Sequence, residues 1–399
     1  MATTMEQMRA WQGPAVLSYG FRPFFFGAGL LAALLIALWV PWYLGFIRVP
    51  SAFAPLNWHI HELLFGYVPG VIAGFLLTAV PNWTGRLPVV GWPLGALFAL
   101  WLGGRAIVAF SAGLAPDLVA GVTIAFPLAL GLLLAREVMA GRNWRNLKVL
   151  VALGALILAQ GFFHYEIAVF GRAETSTRLG IAATMMLIMI IGGRIVPSFT
   201  RNWIKRANPG REPREFGRYD LAAMLLGGIA LAGWILATHL PGLAAPIGAA
   251  LAVAALVHLW RLLRWAPDRT WREPLVMVLH VAYAFVPLGF GLAAIAVLGE
   301  DPGWHQAAIH AWTSGGIGLM TLAVMTRASR GHSGRPLTAP LGTVLVYAVI
   351  TAAALLRIAA ALLPEAMLVL LGLSGLSWCL GFLGFALLYA RILLWPPLR

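Results

Sequence analysis

The stretch Trp58–Tyr67, WHIHELLFGY, gathers two imidazoles and a carboxylate within four residues: His59, His61 and Glu62. Imidazole nitrogen ligates haem iron and copper, and near neutral pH it also carries protons. A carboxylate beside such a ring would bond its second nitrogen and hold the first toward a metal. The chain then continues VPGVIAGFLLTAVPNWTG to Gly85, a run apolar enough to cross a membrane. Polar residues at the mouth of a membrane helix have two readings: they bind something, or they mark the water boundary.

Composition decides what positions them. The chain has 399 residues, 61% hydrophobic and 11% charged, with a mean hydropathy of +0.85. A soluble domain carries about 25% charged residues. Twelve apolar runs of about 20 residues, the first centred near Leu35 and the last near Leu380, match the thickness of a bilayer core. They predict an all-α, polytopic membrane protein of about twelve transmembrane helices. The short loops leave one membrane domain over residues 1–399, with an N-terminal interfacial segment at about 1–23. Residues 1–20 lack the basic-then-apolar order of a signal peptide, so cleavage is not expected.

Charge orients the helices. The loops after even-numbered runs, together with the two ends, hold 22 of the 28 Lys and Arg residues. The positive-inside rule then puts both termini in the cytoplasm. The net charge of +14 answers to anionic lipid rather than to nucleic acid. One cysteine, Cys379, excludes an internal disulfide, a Cys-ligated iron–sulfur cluster and a CxxCH haem attachment. Any haem would be held non-covalently.

The chain also resembles itself. VPNWT at Val80–Thr84 and VPSFT at Val196–Thr200 end the second and sixth runs alike. The second and tenth runs align with Gly74 on Gly318, Ala79 on Ala323, Val80 on Val324, His61 on His305 and Glu62 on Gln306. Runs two, six and ten are four apart, which points to three pseudo-repeats of four helices.

Topology gives the histidines a depth. His59 and His61 open the second span, His305 and His310 the tenth, and His164, followed by Tyr165 and Glu166, lies near the outer end of the fifth. These five share the non-cytoplasmic side. His280 lies deeper, in the ninth span, while His258 and His332 fall at the cytoplasmic edge. Along a helix His59 and His61 point roughly 200° apart and His305 and His310 roughly 140° apart, so neither pair would chelate one ion. Glu62 would orient an imidazole. Arg105, in ALWLGGRAIVAF, and Arg357 lie inside spans, where a charge faces a cavity, a partner or a ligand. A haem propionate or an anionic substrate suits them, and so does an ion pair. Met185, Met186 and Met189 read as packing, Arg22 as an interfacial anchor.

GFRPFF at Gly20–Phe25, WHIHELLFGY, GFLLTAVPNWTGR at Gly74–Arg86 and GGRIVPSFTRN at Gly192–Asn202 resemble the NnrS family. Its members are polytopic bacterial inner-membrane proteins described as haem- and copper-containing and associated with the response to nitric oxide. The resemblance implies a b-type haem, copper, and nitric oxide or a related small ligand. Its best ligand matches are His59 and His61, then His305 and His310; the residue reading by itself adds His164 and, after it, His280 as candidate ligands. Glu62, Arg105, Tyr165 and Arg357 would be the supporting groups. Twelve spans are also similar to the architecture of haem–copper oxidases, but the chain has no adjacent His–His pair for a standard copper site. Redox activity toward nitric oxide stays open. The rival reading is a proton-coupled secondary transporter of a small anion, with Arg105, Arg357 and Glu166 at its substrate and histidines carrying protons.

Overall fold

Among the described residues twelve helices are long and apolar enough to cross a membrane, in agreement with the twelve apolar runs. They are α1 (Phe21–Tyr43), α2 (Pro55–Thr84), α3 (Trp92–Ala109), α4 (Pro116–Ala140), α5 (Trp144–Phe170), α6 (Thr175–Ala207), α7 (Arg218–Leu236), α8 (Pro241–Arg269), α9 (Pro274–Gly299), α10 (Pro302–His332), α11 (Leu341–Leu362) and α12 (Pro364–Leu394). The structure, a computed structural model, describes residues 11–299 and 301–396, with no strand among them. Arg9, Arg399 and the first ten residues of the expected interfacial segment lie outside the described residues.

Backbone chemistry explains the helix ends. Lipid offers no hydrogen bonds, so each span must satisfy its own N–H and C=O groups. Six spans begin on a proline, whose fixed φ suits a first turn and whose missing N–H is not needed there. Asp301 caps α10 by accepting the Gly303 N–H at 2.7 Å. Glu166 accepts the backbone N–H groups of Thr175 and Ser176, at 3.2 and 2.9 Å, and the Ser176 hydroxyl. It is the N-terminal anchor of α6, where a negative charge also meets the helix dipole. Gly85 and Gly171, both left-handed at φ 71 and 69, end α2 and α5.

A period of four runs through the helices. The most apolar windows of α2, α6 and α10 are 78, 72 and 67% buried, against 28–39% for the third and fourth helix of each set. The same three helices each contain a π-helical segment: Glu62–Tyr67, Ile188–Gly192 and Ala311–Leu319. None of the other nine does among the described residues. A π turn inserts a residue and widens the ladder, which re-aims side chains within an otherwise regular helix.

Contacts divide the chain into two compact units. The first is Met1–Gly180, Met325–Pro336 and Phe382–Arg399, and the second is Ile181–Val324 and Leu337–Gly381. Each contains a cluster of buried charge.

Candidate functional site

In the first unit the cluster forms where α2 passes from its opening α-helical turns into the Glu62–Tyr67 π segment. His61 and Glu62 are buried, with 0 and 1% exposure. His61 Nδ1–H donates to Glu62 Oε1 at 2.9 Å, and Arg105 Nη1, from α3, donates to the same oxygen at 2.5 Å. Two opposite charges so deep in the chain each compensate the other's lost hydration.

Local sequence makes room for that pair. A Cβ at Gly66 would fall 2.1 Å from Arg105 Nη1, so only glycine lets the guanidinium lie against α2. Trp101, one turn before Arg105, donates Nε1–H to the Gly66 carbonyl at 2.9 Å. The π segment thus offers one carbonyl to α3 and one bare backbone surface to its arginine.

The hydrogen bonds fix a tautomer. A carboxylate oxygen only accepts, so the His61 proton is on Nδ1 and the lone pair on Nε2. Nε2 is buried and has no hydrogen-bond partner. Buried polar atoms are nearly always satisfied, and an open one marks a position where something else can bind. Phe53 stacks on the His61 ring at 5.5 Å, and Phe163 and Phe65 approach at 5.5 and 5.9 Å. His164 is the nearest titratable neighbour, its ring 5.1 Å away and edge-on. The Thr123 hydroxyl donates to the Ala120 carbonyl at 3.0 Å, so its oxygen accepts His164 Nε2–H at 2.9 Å. That leaves the His164 lone pair on Nδ1.

The other sequence candidates are dispersed. His59 stacks on Trp39 at 4.0 Å and so faces different neighbours from His61, as their spacing predicts. Tyr165 is exposed and stacks on Phe162 rather than joining the His61 cluster. In the second unit His305 lies beside Trp234, ring centres 6.0 Å apart, and His310 donates Nδ1–H to its own helix at Gln306, 2.8 Å. Arg357 is half-buried in α11. His280 resembles His61 more closely: Thr200 gives its proton to Val196 at 2.8 Å and accepts His280 Nε2–H at 2.8 Å. His280 Nδ1 is therefore a second buried nitrogen without a partner, though no carboxylate supports it.

A second charge cluster escapes the sequence reading. Arg261, which reads as a loop charge, is fully buried near the end of α8. Its Nε donates to Asp220 Oδ1 at 2.9 Å, and its Nη1 to the Tyr283 oxygen at 2.9 Å and the Met189 carbonyl at 3.1 Å. His258, which reads as lying at the cytoplasmic edge, is buried beside it: Nε2–H donates to the Ala223 carbonyl at 3.0 Å and Nδ1 accepts the Tyr283 hydroxyl at 2.9 Å. The available signal was the i, i+3 spacing of His258 and Arg261, which puts both on one face of α8. Among the described residues no three His, Cys, Asp or Glu side chains gather as a metal-holding group.

Fold and site together define a polytopic helical membrane protein with a buried imidazole that a carboxylate orients and whose Nε2 has no hydrogen-bond partner. The sequence profile of the family described as NnrS protein matches residues 15–396, and the chain belongs to the NnrS family. Membership associates it, at family level, with the nitric oxide response. No curated protein matches the chain.

Proposed function

We propose that this protein is a haem- and copper-binding protein of the bacterial inner membrane that binds or processes nitric oxide, or limits its damage, with His61 as the haem ligand. The observation that carries the proposal is the buried, unpartnered Nε2 of His61. A neutral imidazole whose other nitrogen donates to a carboxylate is the usual form of a metal-ligating histidine. One oriented imidazole, with no three metal-holding side chains gathered among the described residues, would suit haem better than an all-protein chelate.

Haem, when bound, would supply an iron able to take nitric oxide. The protein's share is positional. Glu62 holds the His61 proton on Nδ1 and so keeps Nε2 a donor. Arg105 compensates Glu62 in the low dielectric around it. Phe53, Phe65 and Phe163 keep water from the open nitrogen. Copper would find imidazoles at His164 and His280, and no step is routed through it. The basic loops support an orientation with both termini in the cytoplasm, which would put His61 toward the outer face.

The test is the optical spectrum of detergent-purified, reduced protein before and after adding nitric oxide, with copper quantified on the same sample. A Soret band that shifts with nitric oxide is the expected result. A colourless, copper-free protein from cells supplied with both cofactors would overturn the proposal and favour the transporter.

A further inference from the structure

The haem reading makes no use of the buried cluster in the second unit, yet its hydrogen bonds have a direction. The Ala223 carbonyl can only accept, so His258 carries its proton on Nε2 and presents the Nδ1 lone pair to Tyr283. The phenol proton of Tyr283 therefore points at His258 Nδ1, 2.9 Å away. Arg261 Nη1 donates to the phenol oxygen from the other side, also at 2.9 Å, and Asp220 offsets the guanidinium charge. Tyr283 is fully buried, so water does not compete for that proton. A phenol with a base aligned at hydrogen-bond distance can lose an electron and a proton together, which leaves a neutral radical and places the positive charge on the imidazole that takes the proton.

Aromatic rings continue on both sides, and among them Trp265, Trp312 and Trp234 are oxidisable. Trp265 meets Tyr283 edge-on at 4.5 Å. On the other side His258 stacks on Phe290 at 5.5 Å, Phe290 meets Trp312 at 5.3 Å, and Trp312 meets Trp234 at 4.9 Å. Trp234 in turn neighbours His305. Trp265 lies just before the loop that enters α9 and His305 just after the loop that leaves it, so the series runs from one end of α9 to the other. Edge-to-face packing stabilises such rings without any redox role. It does not call for a phenol held between a guanidinium and a correctly tautomerised imidazole.

We propose that Tyr283 is a redox-active tyrosine. It gives one electron to a one-electron metal oxidant while its phenolic proton passes to His258 Nδ1, and Trp265, Trp312 and Trp234 relay the oxidising equivalent. The O–H bond breaks, an N–H bond forms on His258 Nδ1 so that the ring becomes an imidazolium cation, the phenol becomes a neutral radical and the oxidant is reduced by one electron. A returning electron reverses each change. The inference is independent of where haem binds.

The test uses the full chain in detergent with photogenerated ruthenium(III) tris-bipyridine as oxidant, freeze-trapping and high-field electron paramagnetic resonance. Wild-type protein should give a hydrogen-bonded, neutral tyrosyl signal beyond that of the exposed Tyr43 and Tyr165. Tyr283→Phe should lose it, His258→Leu should move its g-tensor to that of a phenoxyl lacking this bond, and Trp312→Phe should lower its yield. Fluorotyrosine placed at position 283, which keeps the hydroxyl, should alter the same signal and serves if Tyr283→Phe fails to fold. Identical wild-type and Tyr283→Phe spectra, or a signal unmoved by fluorination, would overturn the proposal.

Discussion

Arg105 and Arg261 occupy similar surroundings and leave different imidazoles beside them. Each lies against a glycine of a π-bearing helix, Gly66 or Gly193, where a Cβ would fall 2.1 or 2.2 Å from a guanidinium nitrogen. Each pairs with one carboxylate, Glu62 or Asp220. In each a carbonyl of the π segment accepts from a neighbouring helix, Gly66 from Trp101 and Met189 from Arg261. The histidines then diverge. His258 uses both nitrogens, while His61 uses one and leaves Nε2 open. The buried ion pair is thus scaffold common to both clusters, and the capacity to bind lies in the single nitrogen that one of them leaves over.

Removing a carboxylate should have the largest effect and should separate the two scaffolds. Glu62→Ala strands Arg105 without its charge partner and should cost roughly 3–5 kcal/mol. Asp220→Ala should cost less, because Arg261 keeps Tyr283 and the Met189 carbonyl. Melting midpoints in detergent decide this, and equal losses would mean the extra bonds of Arg261 contribute nothing.

The glycines come next. Gly66→Ala and Gly193→Ala each force a guanidinium aside and should cost about 1–3 kcal/mol. Only Gly66→Ala should also lower haem retention, since it displaces Arg105 and with it the support of His61. Haem retention equal to wild type at Gly66→Ala would detach Arg105 from the site.

The histidines should reverse the order of stability and spectrum. His258→Ala leaves Tyr283 and Ala223 without their partner and should cost about 1–3 kcal/mol. His61→Ala should be the milder change in stability, because Glu62 keeps Arg105 and one of the ring nitrogens bonded nothing. A larger destabilisation from His61→Ala would mean that the open nitrogen has a structural partner. Smallest of all, Thr123→Val removes the hydrogen bond that sets the His164 tautomer and should cost about 1 kcal/mol by the same melting assay.

Much of the fold was legible because the bilayer enforces it: twelve runs of membrane length became twelve helices. The VPxxT match also has a physical meaning. The Thr84 and Thr200 hydroxyls bond back to the Val80 and Val196 carbonyls at 2.9 and 2.8 Å, the same device at the ends of α2 and α6. Helical periodicity correctly separated His59 from His61. It could not separate a snorkelling arginine from one turned inward, since Arg261 reads the same either way and its partner Asp220 comes from another helix. Nor does any local pattern announce a π turn: ELLFGY and IMIIG share only apolar residues and a glycine. Gly66 was visible as a glycine, and its reason, the Arg105 guanidinium, was visible only in three dimensions.

The most direct measurement is the reduced-minus-oxidised Soret spectrum of His61→Ala, His258→Ala and His280→Ala, each shown to be inserted and purified to the same yield. The band should disappear in His61→Ala and persist in the other two. Persistence in His61→Ala, or loss in His258→Ala alone, would contradict the assignment of the open nitrogen as the ligand.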